Sequence, residues 1–196
     1  MYWSDLGIVL GWKNFGENRR LLTVLTQKYG VYKGIVYGVS QTLFPGWVLN
    51  LRWKGACETS LGTWSIDGSV SLGDESSANP LTFTLLTSMC QLCICGIPAQ
   101  IPCLDIYQAF LTSMTLLPEP RGLRAYVLFE AHILCYLGHQ DRQIQCFIQN
   151  WQDPKITCVR RQWLYQDNIW KQLGKHWQNW QEIKERAYCK IFENFS

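Results

Sequence analysis

Between Lys54 and Arg121 the chain has no lysine or arginine, while the same stretch holds six acidic residues: Glu58, Asp67, Asp74, Glu75, Asp105 and Glu119. A polyanion therefore has to be met by the first 54 residues, by those after 121, or by both. Residues 76 to 104 lack charge of either sign. That run exceeds the ~20 residues of a membrane-spanning helix. Pro80, Gly96, Pro98 and Pro102 interrupt it, and Ser, Thr and Gln dilute it, so a buried helix is the better reading. The opening Met1-Tyr-Trp-Ser-Asp-Leu-Gly-Ile-Val-Leu has neither a basic start nor a small-residue cleavage site, and no signal peptide is expected. The nine cysteines are odd in number and lack regular spacing, which suits a reducing cytoplasm better than a disulfide framework. There is no Gly-x-Ser-x-Gly, no His-Glu-x-x-His and no convincing catalytic acid pair. Gly30, Gly34 and Gly38, spaced by four, match neither the dinucleotide fingerprint nor a phosphate-binding loop. The expectation is a protein that is not an enzyme and needs no cofactor.

What is present begins with core material. Of 196 residues, 47% are hydrophobic and 14% aromatic, enough for one large or two small folded domains. The net charge of +3 permits a polyanion partner without requiring one. Residues 16 to 38 organise the rest. Leu22, Val24 and Thr26 alternate with Leu21, Thr23 and Leu25, and Val31 to Tyr37 alternate again after Lys28-Tyr29-Gly30. That is a hairpin, with Gly30 free to take a positive φ. A first strand is expected over 6–13. A fourth follows over 47–54, with Trp47, Leu49, Leu51 and Trp53 on one face, and a fifth over 61–67. Five short strands suggest a small closed barrel of the OB type, placed in residues 1–74. Gly73 to Pro80 looks like a linker. The period then becomes helical: 81–95, 104–117, 123–137 ended by Gly138, 142–151, and a long tryptophan-striped helix over 159–192. The fold class is therefore α+β, a five-stranded OB barrel followed by an all-helical domain over 75–196.

Three constellations carry candidate chemistry. Cys90, Cys93, Cys95 and Cys103 have the look of a metal set, but on a helix residue 95 points away from 90 and 93, and the neighbours look like core. His132, Cys135 and His139 share one helical face with Phe129 and Tyr136, which favours packing. No metal site is expected from either. The third set is cationic. Lys13, Arg19, Arg20, Lys28, Lys33, Arg52 and Lys54 stand among Trp12, Phe15, Tyr29, Tyr32 and Trp53. Cations interleaved with aromatics on such a barrel suit a single nucleic-acid strand; a solvated surface over an aromatic core is the alternative.

The order Asp5-x-Gly-Ile-Val-Leu, Phe15-Gly-Glu-Asn-x-Arg-Leu-Leu, Leu25-Thr, Gly30, Gly34 and Gly38 resembles the start of the RecO family of bacterial recombination mediators. Leu43-x-Pro-Gly46, an apolar strand to Trp53, Leu61-Gly-Thr, Ala109 to Leu117 and Ala125 to Gly138 continue it, so the likeness runs over roughly residues 5 to 140. The resemblance implies an OB barrel and a helical domain. It also implies binding of single- and double-stranded DNA, strand annealing, and loading of recombinase onto gaps coated by single-strand-binding protein, with RecR as partner. On that reading Arg19, Arg20, Lys28, Lys33, Arg52 and Lys54 hold phosphates, and Trp12 or Trp53 stacks on bases. An alternative is an adaptor with little DNA affinity, whose Arg121, Arg124, Arg160 and Arg161 capture the acidic tail of single-strand-binding protein. Two departures matter. The basic loop expected after Gly38 is replaced by the short, uncharged Val39-Ser-Gln-Thr-Leu-Phe, which predicts weaker and less salt-sensitive binding. The four-cysteine zinc site of some members has no counterpart, since only Cys146, Cys158 and Cys189 lie beyond Cys135. Both point to a reduced family member.

Overall fold

Alternation of apolar and polar residues builds five strands: β1 (Tyr2–Asn14), β2 (Arg19–Thr26), β3 (Gly30–Tyr37), β4 (Val48–Lys54) and β5 (Gly62–Val70). They come from a computed structural model, which describes residues 1–38, 43–57, 60–70, 80–118, 122–139 and 142–152. The strands close a barrel in the order β1-β2-β3-β5-β4. All neighbours are antiparallel except β3 and β5, which meet in parallel at Gly34↔Gly62 and Ile35↔Thr63. This is the expected OB-type barrel.

β1 starts four residues earlier than the sequence pattern indicated. Ser4 and Asp5 hide the alternation, but Tyr2 to Ile8 pair with β4 while Gly7 to Asn14 pair with β2. A bulge between Val9 and Gly11 changes the facing of the strand, so Val9 and Trp12 both lie on the barrel-core side. Ile8 and Leu10 then point outward, yet both are buried, because the first helix covers that side of β1.

Aromatic rings fill the interior. Trp3 stacks on Tyr29 at 4.1 Å and on Trp53 at 5.6 Å, and meets Tyr32 and Trp64 edge-on. Trp53 is completely buried in this cluster, with Gly55 and Gly62 against its ring. It is a core residue and cannot stack on a base, contrary to the sequence expectation.

The helices are α1 (Pro80–Gly96), α2 (Leu104–Leu116), α3 (Gly122–Tyr136) and α4 (Arg142–Gln149), close to the expected spans. None among the described residues is long and apolar enough to cross a membrane. The α1–α2 connection is welded to the barrel. Val31 forms a parallel bridge with Ala99, and the Gln100 N–H donates to the Val31 carbonyl at 2.9 Å. Cys90 approaches the Val9 carbonyl at 3.7 Å, and Leu86 packs against Gly46. Most of the expected linker and the long helix over 159–192 lie outside the described residues.

Candidate nucleic-acid interface

The register of the barrel places side chains in rows that run across its outer face. Asn14 pairs with Arg20, and the next residues continue the ladder, the Phe15 N–H donating to the Arg19 carbonyl at 2.9 Å. Arg19 in turn pairs with Tyr37. Phe15, Arg19 and Tyr37 therefore stand side by side on three chain segments. Adjacent strands are ~4.8 Å apart, so the two aromatic positions are about 10 Å apart with the arginine between them. Both rings are exposed, Phe15 at 42% and Tyr37 at 59%.

Two residues along the strands comes a second row, Lys13, Leu21 and Ile35, which continues through Thr63 to Lys54. A third row holds Gly11, Thr23 and Lys33. These positions alternate with Leu22, Val24 and Val36, which line the core, so all three rows face outward. α1 borders them at Gly11, where a Cβ would lie 3.9 Å from Ile94. The face joins exposed Lys13, Arg19 and Lys33 with two exposed rings, while exposed Lys54, on β4, lies further round the closed barrel beside Tyr2.

The remaining predicted cations are placed differently. Arg52 is on the outward side of β4, but it forms an ion pair with Asp67. That bond first, then a hydrogen bond with Tyr2, raises the guanidinium pKa and lowers the net field Arg52 presents. Arg20 falls on the core-facing parity, opposite Val36, and at the barrel rim its guanidinium lies over the Trp12 ring at 4.3 Å. Trp12 donates its indole N–H to the Leu43 carbonyl at 2.8 Å. One face of that ring is thus occupied by the protein's own arginine.

Lys28 is exposed on the β2–β3 turn, at the far end of β2 from Arg19. The turn is held from beneath: the Lys28 N–H donates to the Asp5 carboxylate at 2.7 Å. The Tyr29 N–H donates to the Thr26 hydroxyl at 3.1 Å, and that hydroxyl donates to the Gly30 carbonyl at 2.8 Å. Burial raises the Asp5 pKa against the opposing effect of these N–H bonds. Burial, with Asp5 alongside, pushes the Tyr107 hydroxyl up to about 12.

Of the four arginines proposed to meet a protein partner, Arg121, Arg160 and Arg161 lie outside the described residues. Arg124 is on α3, where its Nε donates to the Trp151 carbonyl and its guanidinium lies 5.8 Å from the Phe147 ring centre. It ties α3 to the α4 end of the chain.

The cysteine cluster divides as helical geometry required. Cys90, Cys93 and Cys103 are buried and Cys95 is exposed. Burial pushes the Cys103 thiol up to about 11. His132 is half-buried, which lowers its pKa, while His139 is exposed. Among the described residues no group of three or more His, Cys, Asp or Glu is arranged to hold a metal ion.

Tyr37 is the exposed ring on this face that sequence reasoning missed, and Phe15 was noted without a role. The signal was available in Val31 to Tyr37. If positions 32, 34 and 36 face the core, Tyr37 shares the outward side with Lys33.

Comparison with known proteins gives one consistent result. A family model described as "Recombination protein O N terminal" matches residues 1–65. A protein named DNA repair protein RecO from Ruegeria sp. (strain TM1040) is 29% identical over 145 residues, covering 71% of this chain and 60% of that protein. Proteins of the same name from Hyphomonas neptunium and Rhodospirillum rubrum are 31% and 28% identical over 150 and 147 residues. These cover 70% and 69% of this chain, and 60% and 58% of the relatives. The chain thus spans about three fifths of the length of the curated relatives it matches.

Proposed function

The chain belongs to the RecO family, and on that premise we propose that it is a non-catalytic mediator of DNA repair and recombination. On this reading it binds single- and double-stranded DNA, anneals complementary strands and, with RecR, helps to load recombinase onto gaps coated by single-strand-binding protein. The observation that carries the DNA-binding part is the outward face on which Lys13, Arg19 and Lys33 are gathered by register from three neighbouring strands. Lys13 and Lys33 are on strands two spacings apart, about 10 Å, so the face meets more than one phosphate. Arg20 and Lys28 flank it, and Arg52 adds less because Asp67 shares its charge. On the adaptor reading, the acidic tail of single-strand-binding protein meets the helical part from residue 75 onward. There Arg124 is already committed to Trp151 and Phe147, which leaves Arg121, Arg160 and Arg161 of the four expected arginines for an acidic tail.

The test is a salt titration of a labelled single strand followed by fluorescence anisotropy. Each phosphate neutralised contributes about 0.7 to the slope of log affinity against log salt for a single strand. Arg19→Glu with Lys33→Glu removes two contacts and should lower that slope by roughly 1.4 while the melting temperature holds. An unchanged slope would take this face out of the binding site.

A further inference from the structure

We propose that Phe15 and Tyr37 are base-stacking residues that make the outer barrel face prefer single strands over duplex. This rests on the DNA-binding reading above and adds to it the property that tells one nucleic-acid form from the other. Cations alone do not discriminate, because single and double strands both present phosphates. Rings do, because a base can lie on an aromatic side chain only after it has left its neighbours.

The arrangement fits that chemistry in three respects. Phe15 and Tyr37 are large aromatic residues left exposed at the rim of the barrel, Tyr37 next to the buried Val36. A folded chain leaves such surface open at a cost of water contact, and here the two rings bracket a cation instead of being scattered. Second, their spacing selects the strand. Stacked bases follow one another at about 3.4 Å, whereas these two positions are separated by two strand spacings, roughly 10 Å. Neighbouring bases of an intact duplex cannot use both rings; a strand drawn out of its stack can, with a phosphate at Arg19 between them. Third, the positions are rigid. Tyr37 is held in the β2–β3 ladder against Arg19, and Phe15 is bonded through its N–H to the Arg19 carbonyl. Trp12, the ring favoured by the sequence, is a poorer platform. Arg20 lies on one of its faces, and its N–H is already bonded to Leu43.

The experiment compares a labelled oligothymidine and a duplex of equal length, by anisotropy at fixed salt, for the full chain and three variants. Phe15→Leu with Tyr37→Leu keeps apolar bulk and removes both rings, so folding is not at stake; melting curves verify it. The expected result is a loss of about tenfold in single-strand affinity per ring, with duplex affinity within about twofold and the salt slope unchanged. Tyr37→Phe, which keeps the ring, should bind as the parent does. Arg19→Glu should weaken both forms. Equal losses for the two nucleic acids, or no loss in the double leucine variant, would overturn the stacking role while leaving the DNA-binding reading in place. If the parent chain binds neither form, that reading fails and this inference with it.

Discussion

Gly30 is the residue on which the barrel and the helices meet. Its φ of 79° already disfavours any side chain, and a Cβ there would run into the backbone carbonyl of Ile101. Gly38 has a similar φ, 63°, but nothing within 4 Å of the place where a Cβ would go. The pair separates backbone strain from collision. Gly38→Ala should cost only the left-handed penalty, about 1–2 kcal/mol. Gly30→Ala should cost clearly more, on the order of 4 kcal/mol, because the α1–α2 connection has to be pushed off β3. Urea denaturation of the two variants tests this, and equal losses would show that strain alone sets the role of Gly30. The sequence marks both glycines in the same way. What distinguishes them is a contact with a distant part of the chain, which no local pattern encodes. Trp53 teaches the same lesson from the other side: a tryptophan among cations suggested a stacking surface, whereas strand parity alone, through Leu49 and Leu51, placed it inside.

At the scale of elements, strands and helices were legible wherever one face is apolar and the other polar. β2, β3, β4 and all four described helices therefore emerged close to their observed bounds. β1 was cut short because its first half carries Asp5 on the buried side, where alternation predicts an apolar residue. The exception has a job. The Asp5 carboxylate accepts the Lys28 N–H and so fixes the turn of the β2–β3 hairpin from the neighbouring strand. Burial raises its pKa in the folded state above the ordinary 3.8. The folded protein thus holds this proton more tightly than the unfolded chain does. The contribution of Asp5 favours folding below the ordinary value and is lost as pH rises through the raised one. Asp5→Asn keeps an oxygen acceptor for Lys28 and removes the charge. The stability of the variant relative to the parent should therefore climb as pH is raised from about 4 and level off once Asp5 is ionised in the parent. Melts of both proteins across that range measure the difference directly. A difference that stays flat with pH would mean that the carboxylate is not penalised by its burial.

For the molecule as a whole, the question is whether the barrel and the first helices stand or fall together. A sequence that switches from a two-residue to a helical period suggests two parts with a seam between them. The packing of residues 1–152 is less divided, since they form one compact unit. Ile8 and Leu10 are on the side of β1 that faces α1 and are at most 1% exposed. Uncovering two such side chains costs roughly 3–6 kcal/mol, a large fraction of the ~5–15 kcal/mol that stabilises an entire domain. The Val31–Ala99 bridge and the Gln100 bond to Val31 would be lost in the same step. The barrel therefore cannot shed α1 and remain near its native stability. Hydrogen exchange followed by mass spectrometry through a denaturant series separates the possibilities. Peptides spanning residues 6–12 of β1 and 84–92 of α1 should lose protection at the same denaturant concentration, as members of one cooperative unit. If α1 opens first while β1 stays protected, the barrel is an independent folding unit and the seam is real in energy as well as in sequence. If they open together, a substitution in the α1–α2 connection, such as Gln100→Pro, which removes the N–H bonded to the Val31 carbonyl, should weaken protection in β3 although the changed residue lies outside the barrel.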